Sequence, residues 1–345
     1  MRKRTVVLSA IIIVLVIVAL AYTINLYVPF ETAPQKETIT IVDNTGVYVE
    51  VEVPVERIIS IMATEIICLL GHEDKIVGRS LLSADVEAIL PPSILDLPVV
   101  AESSFSPNME LILELEPDLV LVDEGLSSEN RKTMEDAGIP VINDMLMEPR
   151  RKIFIKNLGL ILGAEEKANE FIDYEEYYEN LVKERIENLT TSEKPSVYFE
   201  WYMSWFSASA GSEFHDMLVD AGGINIAAGE PVLYPTLSPE YVADENPDFI
   251  IRMSTYLDGE DLAAFQTLRD EILSRPALSE SKAVKEGKVC VIKNTVLVDR
   301  RPIGLLYLAK WFHPSLFEDI DPAAVHEQMI QQFFGADLEG VFAYP

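Results

Sequence analysis

From Pro149 to about Leu189 the chain is almost uninterrupted helix former, punctuated by Gly159 and Gly163. No other segment restricts the fold as much. Its second part, AEEKANEFIDYEEYYENLVKERIENL, repeats apolar or aromatic residues at three- and four-residue steps through Phe171, Ile172, Tyr174, Tyr178, Leu181 and Ile186. That is the period of an amphipathic α-helix, and at 1.5 Å per residue it reaches about 39 Å, long enough to run the length of a two-lobed protein. Short β-rich runs lie on both sides of it. RIISI (57–61), KIVGRS (75–80), LPVVAES (97–103), DLVLVDE (118–124) and IPVIND (139–144) come before. SVYFEW (196–201), NIA, DFIIRMS (248–254) and KVCVIKN (288–294) come after, with helices expected near 212–221, 239–246, 261–273, 303–312 and 322–334. Strands alternating with helices argue for parallel α/β sheets.

The two series share a detail. MELILELEPDLVLVDE (109–124) and PEYVADENPDFIIRMS (239–254) each place a Glu, Glu110 or Glu240, at the same distance before a Pro-Asp pair, Pro117-Asp118 or Pro247-Asp248, with a strand following. A helix ended by Pro is common punctuation, but two copies with a matching Glu favour duplicated or convergent lobes.

The N-terminus sets the compartment. Arg2, Lys3 and Arg4 precede an apolar run from Val6 to Ala21, interrupted only by Ser9 and continuing more weakly to Val28. Positive charge stays inside, so the rest of the chain is expected outside the cytoplasm. The run offers the small-residue cleavage site Ala19-Leu20-Ala21, yet it is also long enough to span a bilayer. Residues 1–28 are therefore read as a signal peptide or membrane anchor, and 29–37 (PFETAPQKE) as a linker. The 57 acidic residues outnumber 27 basic ones, for a net charge of −30. That surface repels phosphate backbones and argues against a nucleic-acid partner.

The ordered segments ITIVDNTGVYVEVEVPVERIISIMATEIICLLGHEDKIVGRS (39–80), SPNMELILELEPDLVLVD, GSEFHDMLVDAGGINIA, SPEYVADENPDFII and PIGLLYLAKWFHPSLF resemble the helical-backbone substrate-binding proteins of ABC importers. Those proteins carry iron chelates, haem and cobalamin. The resemblance covers about residues 38–334. It implies an α/β fold of two Rossmann-like lobes joined by a single long helix, with the ligand cleft between the lobes. The expected organisation is an N-terminal lobe over 38–148, helices including the backbone helix over 149–190, and a C-terminal lobe over 191–345. It further implies a non-enzymatic monomer that works with an ABC permease dimer and its ATPase, docking through Glu110 and Glu240. The alternative reading of these two is a pair of acids favoured by helix N-termini.

Ligands of open α/β sheets bind beyond the strand carboxyl ends. Those ends present Met62, Thr64, Arg79, Ser104 and Phe105 from the first lobe, and Trp201, Tyr202, Trp205, Arg252, Met253, Arg300 and Arg301 from the second. The EWYMSWF run carries more aromatic surface than one strand face can bury, so Trp205 or Tyr202 is expected in the cleft. Arg79, Arg252, Arg300 and Arg301 suggest an anionic or oxygen-rich ligand, or else pair with acids such as Asp123, Asp299 or Glu200. A ferric siderophore is the first expectation, then a corrinoid, then haem.

Other chemistry has little foothold. His72, His215, His313 and His326 are scattered without metal-ligand spacing, and His72 and His313 read as surface punctuation. No cofactor or directly held metal is expected, and no GxSxG, P-loop or GxGxxG is present. Cys68 and Cys290 read as buried free thiols, although one long-range bridge stays open. Two other readings also stay open: a surface-anchored enzyme using Asp123, Glu124 and Glu200 as an acid/base set, and a cell-surface interaction module.

Overall fold

The computed structural model describes residues 36–144, 149–255, 258–259 and 261–345. The expected leader or anchor, and the linker up to residue 35, lie outside the described residues. No helix among the described residues is long and apolar enough to cross a membrane. Thr38–Pro345 form one compact unit.

That unit opens with the paired strands β1 (Glu37–Val42) and β2 (Tyr48–Val53). The first lobe follows as β3 (Ile58–Ser60), α1 (Thr64–Leu69), β4 (Ile76–Ser80), α2 (Ala84–Glu87), α3 (Pro92–Leu95), β5 (Val99–Ala101), α4 (Met109–Glu114), β6 (Leu119–Val122), α5 (Ser128–Asp136) and β7 (Val141–Asn143). Its sheet is parallel, in the order β5-β4-β3-β6-β7. Two helices, α6 (Arg151–Leu162) and α7 (Glu165–Ile186), lead to the second lobe. There follow β8 (Ser196–Glu200), α8 (Glu213–Asp220), β9 (Ile224–Asn225), α9 (Pro239–Glu245), β10 (Phe249–Ser254), α10 (Leu262–Leu273), α11 (Lys282–Lys285), β11 (Val289–Lys293), α12 (Asn294–Leu297), α13 (Arg301–Phe312), α14 (Pro322–Phe334) and β12 (Ala343–Tyr344). This sheet runs β12-β11-β10-β8-β9, with only β12 antiparallel.

The two sheets share one topology. If β3, β4, β6 and β7 are matched to β8, β9, β10 and β11, the shared order is identical, and each lobe adds one edge strand on opposite sides. The repeated Pro-Asp also does the same work twice. Asp118 Oδ2 accepts from the Glu56 and Arg57 N–H groups at 2.9 and 3.0 Å, while its own N–H donates to Arg57 O at 2.8 Å. Asp248 Oδ2 accepts from Ser196 N–H at 2.8 Å, and its N–H donates to Ser196 O at 2.8 Å. In each lobe an Asp entering one strand thus closes the start of its central neighbour.

The strands are short apolar runs because both faces are covered. In β6, Leu119 and Leu121 enter the main core while Val120 and Val122 enter a second cluster on the other face. In β8, Val197 and Phe199 face the main core and Tyr198 faces the outer cluster of its lobe. The main core also takes Phe154, Leu158, Phe171 and Ile172 from α6 and α7. It therefore runs through both lobes and the helices between them.

Gly163, at φ 67°, ends α6 in the left-handed region that favours glycine. Helix α7 then begins with Glu165 and Glu166 and finishes with Lys183 and Arg185, a charge order that complements its dipole. Its buried stripe is Ala168, Phe171, Ile172, Glu175, Val182 and Ile186. The one charge in that stripe, Glu175, meets Arg151 of α6 at 2.8 Å, and both side chains are almost fully buried. Arg151 also donates to the carbonyls of Val298 and Asp299 at 3.3 and 2.5 Å, tying the helical pair to the second lobe.

Candidate functional site

The strand carboxyl ends of the two sheets face a common cleft. Its floor is a cavity of about 170 Å³, lined from the first lobe by Met62, Thr64, Glu65 and Ser80–Ser83 and from the second by Asp299. Thr64 is buried, with Oγ1 donating to Ser60 O at 3.4 Å. Met62 is half-buried beside it.

Beneath this floor a buried ionic network joins the lobes. Arg300 is fully buried and reaches Glu65 at 3.1 Å. Lys293, buried on β11, meets Asp85 of the first lobe at 2.9 Å. Arg300 Nη1 donates to His326 Nε2 at 3.0 Å, leaving the ring proton on Nδ1, which is buried without a partner among the described residues. Burial, and then the Arg300 charge, lower the His326 pKa to about 3, so this ring stays neutral. Removing one member of such a network leaves a stranded buried charge.

The second-lobe wall is aromatic. Trp201 stacks on Phe206 with ring centres 5.5 Å apart and planes 9° apart, and it touches Tyr202, Phe214 and Tyr234 at 5.0, 5.3 and 4.8 Å. Tyr202 is 43% exposed. In the first lobe Phe105 is 82% exposed and lies over Gly125, where a Cβ would come within 2.8 Å of the ring. Ser104 is buried and accepts from Asp123 N–H at 3.2 Å, which fixes the loop that carries Phe105.

Carboxyl groups complete the lining. Glu213 opens α8, whose N-cap Ser212 accepts from His215 N–H. Its Oε1 is buried with no hydrogen-bond partner among the described residues. Burial pushes its pKa up to about 7; Arg301 pulls the other way, while Asp299, Glu124 and Asp216 add to the rise. Asp299 is likewise raised to about 7, first by burial and then by Glu65. Glu124 belongs to the first lobe and also acts on Tyr234, so the two lobes meet electrostatically here.

The sequence profile described as "Periplasmic binding protein" matches residues 60–296. The chain belongs to the periplasmic binding protein family. One relative is an uncharacterized ABC transporter substrate-binding lipoprotein, YvrC of Bacillus subtilis, 25% identical over 292 residues that cover 81% of this chain and 87% of that protein. Another is the molybdate-binding protein MolA of Haemophilus influenzae, 21% identical over 78% of this chain and 80% of its own length. The structure of MolA bound to molybdate superposes with a TM-score of 0.75 at 19% identity, covering 88% of this chain and all of that one. The TroA-like FepB of Veillonella parvula gives 0.74 at 24% identity, covering 89% and 99%. The fold is thus the two-lobed α/β fold of these proteins. This periplasmic binding protein is the substrate-binding component of an ABC importer, not an enzyme, and it works outside the cytoplasm with a permease and an ATPase.

Several expected site residues are engaged by the protein itself. Arg79 is buried and has all three nitrogens engaged by carbonyls: Nε on Ile94 O at 2.8 Å, Nη1 on Ser80 O at 3.1 Å and Nη2 on Leu95 O at 2.9 Å. Arg252 donates to Tyr202 O at 3.1 Å and stands 3.7 Å from both Glu200 and Asp258. Met253 is a core residue of β10, 3% exposed. Arg301 reaches Asp220 at 2.6 Å and Glu179 at 3.6 Å and lines a flank groove of about 660 Å³, while its Nε is buried without a hydrogen-bond partner among the described residues. Trp205 is engaged as well. At φ 66° it stacks on Tyr198 and under Arg275, whose guanidinium carbon is 4.7 Å from the ring. Trp201 instead packs against Tyr234, a phenol that Glu213 and Glu124 both influence.

Glu200, a member of the acid/base set considered above, is fully buried in a bidentate pair with Arg275 at 2.5 and 2.9 Å. His313 is buried rather than superficial and donates to Gly222 O at 3.1 Å. Cys68 and Cys290 are free, and burial raises both thiols to about 12, which keeps them protonated and inert. No group of three or more His, Cys, Asp or Glu able to hold a metal occurs among the described residues. Glu213 and Tyr234 are candidate site residues that sequence reasoning missed. Glu213 reads as an ordinary helix-start acid, and only the facing lobe gives it another meaning.

Proposed function

We propose that this chain captures a metal chelate outside the cytoplasm, a ferric siderophore in the first place and a corrinoid or haem next, and hands it to a permease dimer through Glu110 and Glu240. The observation that carries the reading is the aromatic cleft between two lobes of matching topology. A body with a large apolar surface would lie on Trp201, Tyr234 and Phe105, with the few polar groups of the floor setting its orientation. The four expected arginines are each held at least in part by protein groups, which speaks against extending MolA's molybdate to this chain, since a small oxyanion needs open donors.

Glu110 and Glu240 support the docking half. Both are exposed in the first turns of matched helices, α4 and α9, which precede matched strands. The start of a helix that leads back to a parallel strand lies at the carboxyl edge of the sheet, so both acids sit on the rim of the cleft. Their N-caps, Asn108 and Ser238, accept from Leu111 and Tyr241 N–H groups, leaving the Glu side chains to solvent. The N-terminal segment 1–28 would export the chain or tether it to the membrane.

The test combines tryptophan fluorescence and calorimetry against ferric catecholate, ferric hydroxamate, cobalamin and haem. One-to-one, saturable binding of one class is expected, with weaker binding in Trp201→Ala. The Glu110→Arg/Glu240→Arg double variant should retain that binding and lose stimulation of the reconstituted permease and ATPase. Stimulation equal to wild type would sink the docking assignment.

A further inference from the structure

Four arginines were expected to receive an anionic ligand, and the structure ties each of them at least in part to protein groups, although Arg252 Nη1 and Arg301 Nε are buried without a hydrogen-bond partner among the described residues. Arg79 is saturated by three carbonyls. Arg252 stands between Glu200 and Asp258, Arg300 lies on Glu65 below the floor, and Arg301 faces the flank on Asp220. The charged groups around the cleft aromatics are mainly acidic, with Arg301 near enough to Glu213 to offset part of that charge. Glu213 offers a carboxyl with one oxygen buried and unpartnered, Asp299 lines the floor cavity, and Glu124 is exposed on the facing lobe. Tyr234 lies within the field of Glu213 and Glu124 and against Trp201, and Phe105 covers Gly125, the neighbour of Glu124. Carboxylates next to aromatic rings attract cations by charge and by the ring quadrupole. An anionic chelate in the same place meets uncompensated repulsion.

We propose that the cleft selects a ligand that turns positive charge toward Glu213, Glu124 and Asp299: a metal chelate with a pendant ammonium group or a net positive charge, its body resting on Trp201, Tyr234 and Phe105. The proposal rests on the receptor reading above and narrows its substrate class. It also gives the buried oxygen of Glu213 a partner, since an ammonium donor can reach a group that no protein donor satisfies. The chelate supplies its own metal coordination, consistent with a cleft whose described residues form no metal-binding cluster.

A matched pair of probes isolates the charge. One is a linear ferric trihydroxamate ending in a free ammonium; the other is its N-acetylated, neutral twin. A trianionic ferric triscatecholate is the third probe, and all three are titrated calorimetrically at low and at physiological salt. The expected result is that the ammonium form binds at least about tenfold more tightly than its twin, a difference of about 1.4 kcal/mol. The advantage should shrink as salt screens it, and the triscatecholate should bind weakest. Glu213→Gln should bring the ratio between the twins toward one. Glu124→Gln, at an exposed position, should do so in part and does not depend on core packing.

Equal affinity of the twins, or tightest binding of the triscatecholate, would overturn the charge inference while leaving the chelate receptor intact. Binding of none of these probes, with haem and cobalamin also unbound by a protein of intact thermal transition, would remove the chelate reading and this inference together.

Discussion

Replacing Glu213 by Gln should change how stability depends on pH, and the structure sets the size and sign of the change. The carboxyl moves from its usual 4.5 to about 7, chiefly through burial. Because its folded pKa lies above its unfolded one, the folded state holds the extra proton between those values. Its contribution is fully present below about 4.5 and is lost as pH rises toward about 7. At about 1.4 kcal/mol per pKa unit the limit is about 3 kcal/mol. Glu213 is half-buried, so solvent screening reduces the expected figure to about 1–3 kcal/mol. Urea unfolding followed by tryptophan fluorescence, from about pH 5 to about pH 8, reads it directly. The stability of Glu213→Gln relative to wild type should rise across that interval by this amount at unchanged m. Asp299, raised in the same window, leaves a residual slope in the variant. The lowered carboxyls Asp43, Asp85, Asp248 and Asp319 act in the opposite direction and only at lower pH. Parallel pH curves for variant and wild type would refute the reasoning, because they would mean that Glu213 titrates as it does in the unfolded chain.

Two further outcomes concern the frame. Glu175→Gln strips the charge partner from Arg151, which is almost fully buried, and should cost about 3–5 kcal/mol; Arg151→Met/Glu175→Leu should recover at least half of that, and strict additivity of the two single changes in denaturant unfolding would count against a coupled pair. Gly304→Ala puts a Cβ within 2.7 Å of Val296 O and should lower stability by about 1–3 kcal/mol, whereas an unchanged thermal midpoint would show that α12 and α13 can separate without cost.

The strands were legible wherever they are buried on both faces, because continuous apolar runs such as Leu119–Val122 need no partner to be recognised. The β1–β2 pair was not assigned as strands from sequence, although β2 alternates, with Val49 and Val51 buried between exposed Tyr48, Glu50 and Glu52. The fates of the arginines were not legible. Arg79 binds carbonyl oxygens, which every residue carries and no residue name reveals. Arg300 and Arg301 are sequence neighbours, yet one goes under the cleft and the other to the flank. Trp205 and Trp201 likewise share a run but not a role, since the positive φ of Trp205 turns its ring toward Arg275.

By itself the sequence determined the α/β class, the long helix, the doubled Glu and Pro-Asp pattern, and the resemblance to importer binding proteins. These rest on local periodicity and short spacing, which a chain carries along its length. Only the tertiary structure decided the sign of the cleft. That sign depends on which side chains find partners across more than a hundred residues, as Arg300 finds Glu65 and Lys293 finds Asp85. It depends equally on which carboxyls, Glu213 above all, are left facing the space between the lobes.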